Sequence, residues 1–479
     1  MIPTVKLLNA IFIANTFKIY EINLAFIKRL EKIAWYYGLG YSNMSEKMLR
    51  LAKSNILACR QSRLPPLLGI SVLFKDQILI KNIRCEASNI ILDNYISKYN
   101  AEVVYRTLKA RAFITGKVNM DSFGVGFSSF NCVQSPLYSA LSVLPSKHLY
   151  KTHLCKTLLS GGSSGGCSVS VALSCSVLSI VADTGGSRQP AYNCVVGLNP
   201  TYGRCSRWGL ISYCYSLDQI GIISKIGADC AYLSSFLFGK DKKDWSVLNL
   251  PVPKYNLYTT CLSTEAVILR RHAPCRNINW TYSLSLFPRI GIKIIEEKLK
   301  YIDLLLPCYC VLSSVECYSN FSRYDGIRYG LKLKESDTFR LYKKIRSIGY
   351  SLNIRQKLMT GAYILSSRSN YTKFYKKAEN IRFVIKSNLL SLITGKLGLI
   401  IPTTPNLNLS NIKSLKFESD LYTVLSNITG LPSINVPVGI DKNGITFGLQ
   451  IIGNAFDEAN LFAICNSLQK MCGLIINSW

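Results

Sequence analysis

The stretch from Ser160 to Gly221, SGGSSGGCSVSVALSCSVLSIVADTGGSRQPAYNCVVGLNPTYGRCSRWGLISYCYSLDQIG, constrains this chain more than any other. It sets two glycine-flanked serine loops on either side of a small-residue helix and a short apolar strand. Glycine lets the backbone turn where a side chain would block it, and leaves amide N–H groups free to point at a bound atom. The first loop, GGSSGG (Gly161 to Gly166), lacks both the Gly-Lys-Ser/Thr that completes a P-loop and the G-x-G-x-x-G of a dinucleotide loop. The second, DTGGSRQP (Asp183 to Pro190), follows the apolar strand. It can put Ser187 at a sharp turn among the amides of Thr184, Gly185 and Gly186, which is how an oxyanion hole is built beside a nucleophile.

A serine nucleophile needs a base. His148 and His153 lie in an irregular stretch and His272 in a poorly patterned one, which disfavours a Ser-His-Asp triad. The alternative is a lysine held neutral by burial, since desolvation lowers a lysine pKa from about 10.4 towards neutrality. Lys75 fits, because it ends the alternating, β-rich run GISVLF (Gly69 to Phe74). Taken singly, a Lys-Asp pair at a strand end is more often a surface feature and a Ser-Gly turn is equally bland. Their combination carries the argument.

Around this centre the elements alternate. Thr16 to Ile56 has helical spacing and breaks at Pro65 and Pro66. GISVLF, a helix over Ala101 to Ala112 and the strand FITGK then form a strand–helix–strand unit. From Lys242 to Ser285 periodicity is weak, and a peripheral connector is expected. A helical region follows from Phe339 to Leu392, then LGLIIPTTP as a buried strand, LPSINVPVGI and GITFGLQIIG as a hairpin, and AFDEANLFAICNSLQKM as a closing amphipathic helix. The pattern predicts one α/β domain with helices on both sheet faces. Within it fall an N-terminal helical region (1–60), a catalytic core (65–240), the connector (242–286) and a C-terminal part of the core (287–479).

Composition removes other classes. The 57 basic and 27 acidic residues of 479 leave a formal charge of +30, but it arises mainly from missing carboxylates and reads as compositional drift over a solvated surface rather than a nucleic-acid arm. The 17 cysteines are scattered without a C-x2-C pair, and with three histidines they suggest reduced thiols filling a core rather than a metal site. MIPTVKLLNAIFIANTF lacks a small-residue cleavage site and reads as the start of an amphipathic helix. No run of about 18 uninterrupted apolar residues occurs, so a cytoplasmic chain without a membrane segment is expected.

GISVLFKDQI, GKVNMD, GGSSGG, DTGGS 24 residues beyond Ser163, VVGLNPTYGRCSRWGL and SLDQIG together resemble the amidase signature family. SRYDGIRYG, FYKKAENIR, IIPTTP, NITGLPSINVPVG and GLQIIG are similar to one branch of it, the glutaminase subunits of tRNA-dependent amidotransferases, so the likeness spans nearly the whole chain. The resemblance implies a single amidase-signature domain with a central mixed, twisted sheet. It implies Ser187 as nucleophile, Ser163 as the cis-peptide serine that relays the proton, Lys75 as base, and the amides of Thr184, Gly185 and Gly186 as oxyanion hole. For substrate glutamine it implies Tyr309, Lys357 on the α-carboxylate, Asp420 on the α-ammonium, and Val125 lining the pocket. It also implies a heterotrimer with B and C subunits serving Glu-tRNA(Gln), with ATP and Mg on the B subunit, and neither cofactor nor metal on this chain. A free-standing amidase and a degenerate scaffold are the other readings. The chain departs from the family in four places: one residue fewer just after Ser187, Lys357 where arginine is usual, Val125 where methionine is usual, and a longer stretch from Pro136 to Leu159.

Overall fold

The computed structural model describes residues 4–14, 18–37, 39, 65–129, 132–133, 135–140, 160–186, 189–253, 255, 263–270, 278–335, 337–403, 421–440 and 446–473. These build a ten-stranded mixed sheet from β1 (Ser71–Lys75), β2 (Phe113–Val118), β3 (Leu178–Asp183), β4 (Val196–Asn199), β5 (Gln219–Ser224), β6 (Glu265–Leu269), β7 (Lys293–Glu297), β8 (Leu399–Pro402), β9 (Ser433–Ile440) and β10 (Thr446–Ile452). Their order is β2-β1-β3-β5-β4-β9-β10-β8-β6-β7. β2, β1 and β3 run parallel, as do β8, β6 and β7, and the strands between these groups pair antiparallel. The expected strand–helix–strand unit is present, with helix Glu102–Lys109 joining β1 to its parallel neighbour β2.

Both faces are buried, and the period-2 geometry of a strand shows how. Val72, Phe74, Ile180, Ile222, Ile268, Ile400, Val436 and Leu449 belong to one continuous apolar layer. Their neighbours point the other way: Leu73, Val181 and Ile223 into a cluster with helix Gly165–Ala172, and Val267, Leu269, Leu399 and Ile401 into a cluster with helices Leu305–Phe321 and Lys377–Ile393. A cavity opens beside the second of these clusters, whose Val125, Tyr213, Tyr309 and Val424 line it.

The N-terminal helices, Val5–Ala14 and Lys18–Tyr37, contribute Val5, Leu8, Phe12, Ile19, Phe26 and Ile27 to the first layer at spacings of three, four and seven residues, as one helix face requires. Asn23 is polar yet fully buried on that face. Its Nδ2 donates to the carbonyls of Ile19 and Gly69, each at 2.8 Å, which ties the second helix to the entrance of β1. The remainder of the predicted N-terminal helix, from Tyr41 onwards, lies outside the described residues.

One expectation is corrected. The supposed connector over 242–286 holds a strand of the sheet, β6, next to the edge strand, whose Ala266 and Val267 are fully buried, and most of helix Ile278–Arg289, which leads to β7. A four-residue apolar run (Ala266–Leu269) between loop-like flanks is too short to register by periodicity, and it is buried in part by β8, some 130 residues later in the chain.

The segment Ile302–Phe321 is long and apolar enough to cross a membrane by length and composition, though half of it is buried. It packs as a core helix against Leu352–Leu365, Lys377–Ile393 and Leu421–Thr429 and buries Ser313, Ser314 and Asn320 along with its apolar residues. All thirteen cysteines among the described residues are free thiols, ten of them buried.

Candidate active site

Lys75 is the last residue of β1 and shares the parity of Leu73, so its side chain leaves the sheet towards helix Gly165–Ala172. It is 1 % exposed, which removes the surface reading of this Lys-Asp pair. Its Nζ donates to Ser163 Oγ at 2.7 Å and to the carbonyl of Ala182 at 2.8 Å. Burial lowers its pKa to about 8, and the opposing pull of Cys167, Asp183, Asp121 and Asp218 keeps it from falling further. The adjacent Asp76 accepts from Lys117 Nζ at 2.8 Å, which anchors the end of the strand.

Ser163 follows a cis Gly162–Ser163 peptide bond. The loop is held by the segment after β2: Gly162 N donates to Phe127 O at 2.7 Å, Asp121 N to Ser163 O at 3.2 Å, and Ser129 Oγ to Gly161 O at 2.7 Å. A Cβ on Gly162 would stand 2.0 Å from Asp121 Oδ2 and 2.6 Å from the backbone nitrogen of Ser128. Gly162→Ala is therefore expected to displace Ser163 from Lys75, lowering the thermal midpoint by about 1–3 °C and removing activity, as over-packing of about 1–3 kcal/mol would do. An unchanged melting curve in calorimetry would refute the packing argument.

The second glycine loop is equally determined by its surroundings. Gly185 offers a site where a Cβ would lie 2.6 Å from the Tyr309 hydroxyl, and Gly186 has φ +86° with a Cβ position 2.1 Å from the carbonyl oxygen of Thr423. Neither tolerates a side chain. Thr184 donates its hydroxyl to Asp218 Oδ1 at 2.6 Å. Asp218 is itself buried, and burial raises its pKa to about 6 against the hydrogen bond from Thr184, the charge of Arg207 and two backbone N–H groups.

These loops face a cavity of about 320 Å³, lined by Ser163, Thr184, Gly185, Gly186, Val125, Tyr309 and Lys357 among others. Lys357 Nζ donates to Ser313 Oγ at 3.0 Å and sits 5.4 Å from the centre of the Tyr309 ring and 5.7 Å from that of Tyr213. Two aromatic faces and a hydroxyl thus hold a cation on the cavity wall, where it can meet a carboxylate. Burial raises the Tyr309 and Tyr213 hydroxyl pKa values, so both rings stay neutral.

Lys75, Ser163, Thr184, Gly185, Gly186, Val125, Tyr309 and Lys357 are thus brought to one place. Ser187 and Asp420 lie outside the described residues, as do His148, His153 and His272. Helix Leu421–Thr429, which starts directly after Asp420, lines the cavity through Val424. Sequence reasoning did not give roles to Tyr213, Asp218 and Asp121. The two aspartates stand inside the strings SLDQIG and GKVNMD, so a signal was available; Tyr213 carries none.

Residues 21–462 match the amidase family. The chain is 34% identical over 444 residues to the A subunit of the glutamyl-tRNA(Gln) amidotransferase of Ehrlichia canis, with 88% of each chain covered. It is 32% identical over 445 residues to the corresponding protein of Wolbachia pipientis subsp. Culex pipiens, covering 90% of this chain and 89% of that one. The crystal structure of the A subunit of glutamyl-tRNA(Gln) amidotransferase from Thermotoga maritima shares the fold, with a TM-score of 0.73 at 24% identity over 95% of this chain and 92% of that chain.

Proposed function

The chain belongs to the amidase family, and from that premise we propose that it is the glutamine-hydrolysing component of a glutamyl-tRNA(Gln) amidotransferase. The observation that carries the reading is the contact between the buried Lys75 Nζ and Ser163 Oγ, which lines a cavity whose wall holds Lys357. The 34% identity to a component of an enzyme of that name supports the choice of branch.

Glutamine binds with its α-carboxylate on Lys357 and its α-ammonium on Asp420, beside Tyr309 and Val125. Ser187 Oγ attacks the side-chain amide carbon. Its proton passes to Ser163, whose own proton passes to neutral Lys75. The carbonyl oxygen becomes an oxyanion facing the amides of Thr184, Gly185 and Gly186. The C–N bond then breaks as Lys75 returns the proton through Ser163, and ammonia departs, leaving a glutamyl ester on Ser187. Water attacks the ester with the same relay acting as base, and glutamate leaves. In this reading B and C subunits complete the enzyme. The ammonia reaches the B subunit, where ATP and Mg activate the glutamate of Glu-tRNA(Gln), and this chain binds no cofactor.

The assembled three-subunit complex should release glutamate and ammonia from glutamine and convert Glu-tRNA(Gln) to Gln-tRNA(Gln) with either glutamine or ammonium as donor. Use of ammonium alone would leave a scaffold role. Turnover of simple amides by the isolated chain, with no association with B and C subunits, would point to a free-standing amidase.

A further inference from the structure

Beneath the turn Thr184–Gly186 lies a carboxylate that the reaction itself does not use. Asp218 is 1 % exposed. Its Oδ1 accepts the Thr184 hydroxyl at 2.6 Å, while its Oδ2 accepts the N–H groups of Tyr213 at 3.0 Å and Cys214 at 3.1 Å. One side chain therefore joins the turn of amide donors to the backbone that carries the Tyr213 ring, against which Lys357 packs. Asn427 braces the same two segments from helix Leu421–Thr429, with Nδ2 donating to the carbonyls of Asp183 at 3.3 Å and Leu217 at 3.2 Å.

We propose that Asp218 is a positioning residue: by tying Thr184 to the Tyr213 segment it fixes the separation between the amide donors and the Lys357 cation, both of which line the cavity. This rests on the glutaminase reading above. A substrate gripped by its α-carboxylate at Lys357 meets the donors with its carbonyl oxygen only if that separation is held, and displacement by 1 Å in such a geometry costs about 10²-fold in rate.

The two obvious substitutions separate geometry from charge. In Asp218→Asn the remaining oxygen still accepts from Tyr213 and Cys214, and the new amide donates to the Thr184 hydroxyl, which turns to accept. Asp218→Ala leaves three buried donors without an acceptor. Glutamine hydrolysis by the assembled complex should show kcat lowered about 100-fold in Asp218→Ala with KM within about 3-fold of the parent, and kcat largely kept in Asp218→Asn. Thr184→Val, which removes only one of the three bonds without changing shape, should lower kcat about 10-fold, and its combination with Asp218→Ala should be no worse than Asp218→Ala alone. Transamidation with ammonium should stay at the parent rate throughout, which reports folding and assembly. The inference is overturned by equal losses in Asp218→Asn and Asp218→Ala, by a parallel fall in the ammonium-dependent rate, or by an additive double variant. If Asp218→Ala does not assemble, an unchanged kcat in Thr184→Val overturns it alone. A parent complex that assembles and uses ammonium but not glutamine removes the glutaminase reading itself, and this inference with it.

Discussion

Lys75→Met should lower kcat for glutamine hydrolysis by about 10⁴-fold or more and, in the same protein, raise the stability of the folded chain at pH 7. The first effect follows because in the proposed mechanism the relay from Ser187 through Ser163 ends on the lone pair of Lys75, and a thioether in its place accepts no proton. The second follows from linkage. An unfolded lysine holds its proton up to an ordinary pKa of 10.5, whereas burial lowers the folded value to about 8. Between those values the unfolded chain binds more protons, so stability rises with pH across the window; below pH 8 both states are protonated and the penalty is felt in full. That penalty is on the order of 3 kcal/mol for a fully buried group, and the two hydrogen bonds from Nζ offset about half of it. Methionine fills similar space without the charge but makes neither hydrogen bond, so denaturant titration at pH 7 should find the variant about 1–2 kcal/mol more stable, with the difference crossing zero at about pH 9–9.5 and reversed by about pH 10.5, where the charge penalty is gone and only the lost hydrogen bonds remain. The parent rate should climb as pH rises through about 8, where Lys75 becomes neutral. A parent rate that is flat from pH 7 to 9 with chemistry limiting would remove Lys75 from the role of base.

How much of this could be read in the residues divides along the range of the interaction. Local pattern located β1 to within two residues at its start, paired helix Glu102–Lys109 with β2, and placed the β9–β10 hairpin, because alternation and glycine turns are properties of neighbouring residues. The strand order was not legible, since β4 pairs with β9 through contacts more than 200 residues apart. β6 was misread for the same reason. At the site, burial of Lys75 follows from its place at the end of an apolar strand, but its contact with Ser163 crosses 88 residues and came from the family resemblance, not from spacing. Asp218 was missed although its string was noticed, because a carboxylate in a polar turn looks solvated until Thr184, 34 residues earlier, is folded against it. The longer stretch before GGSSGG is described only as far as Ala140, where Leu137 N bonds to Ser129 O and Ser160 N to Leu137 O, so that segment enters the loop from the side of Ser129.

Ser187→Ala should abolish glutamine-dependent transamidation while leaving the ammonium-dependent reaction at the parent rate. Removing one hydroxyl deletes the oxygen that in the proposed mechanism forms the ester with the substrate carbon, and for a serine acyl-transfer centre the expected loss in kcat is about 10⁴-fold or more. It removes no charge. The cavity wall proposed to bind glutamine, with Lys357 held against Tyr309 and Tyr213, does not depend on that oxygen, so glutamine should still bind with an affinity near the parent KM. External ammonium bypasses the hydrolytic step altogether, which makes the two donors a separation of function within one assembled enzyme. The chain has one residue fewer than its family directly after Ser187, and the amide donors of the turn are fixed from the other side, by Asp218 on Thr184 and by Thr423 against Gly186. An acid quench of the parent during turnover should therefore trap a glutamyl ester on the peptide that bears Ser187, and the ester should be missing from Ser187→Ala. If the variant instead hydrolyses glutamine at the parent rate, or if the trapped ester maps to another serine, the nucleophile has been misassigned and the shortened loop is the place to look for the reason.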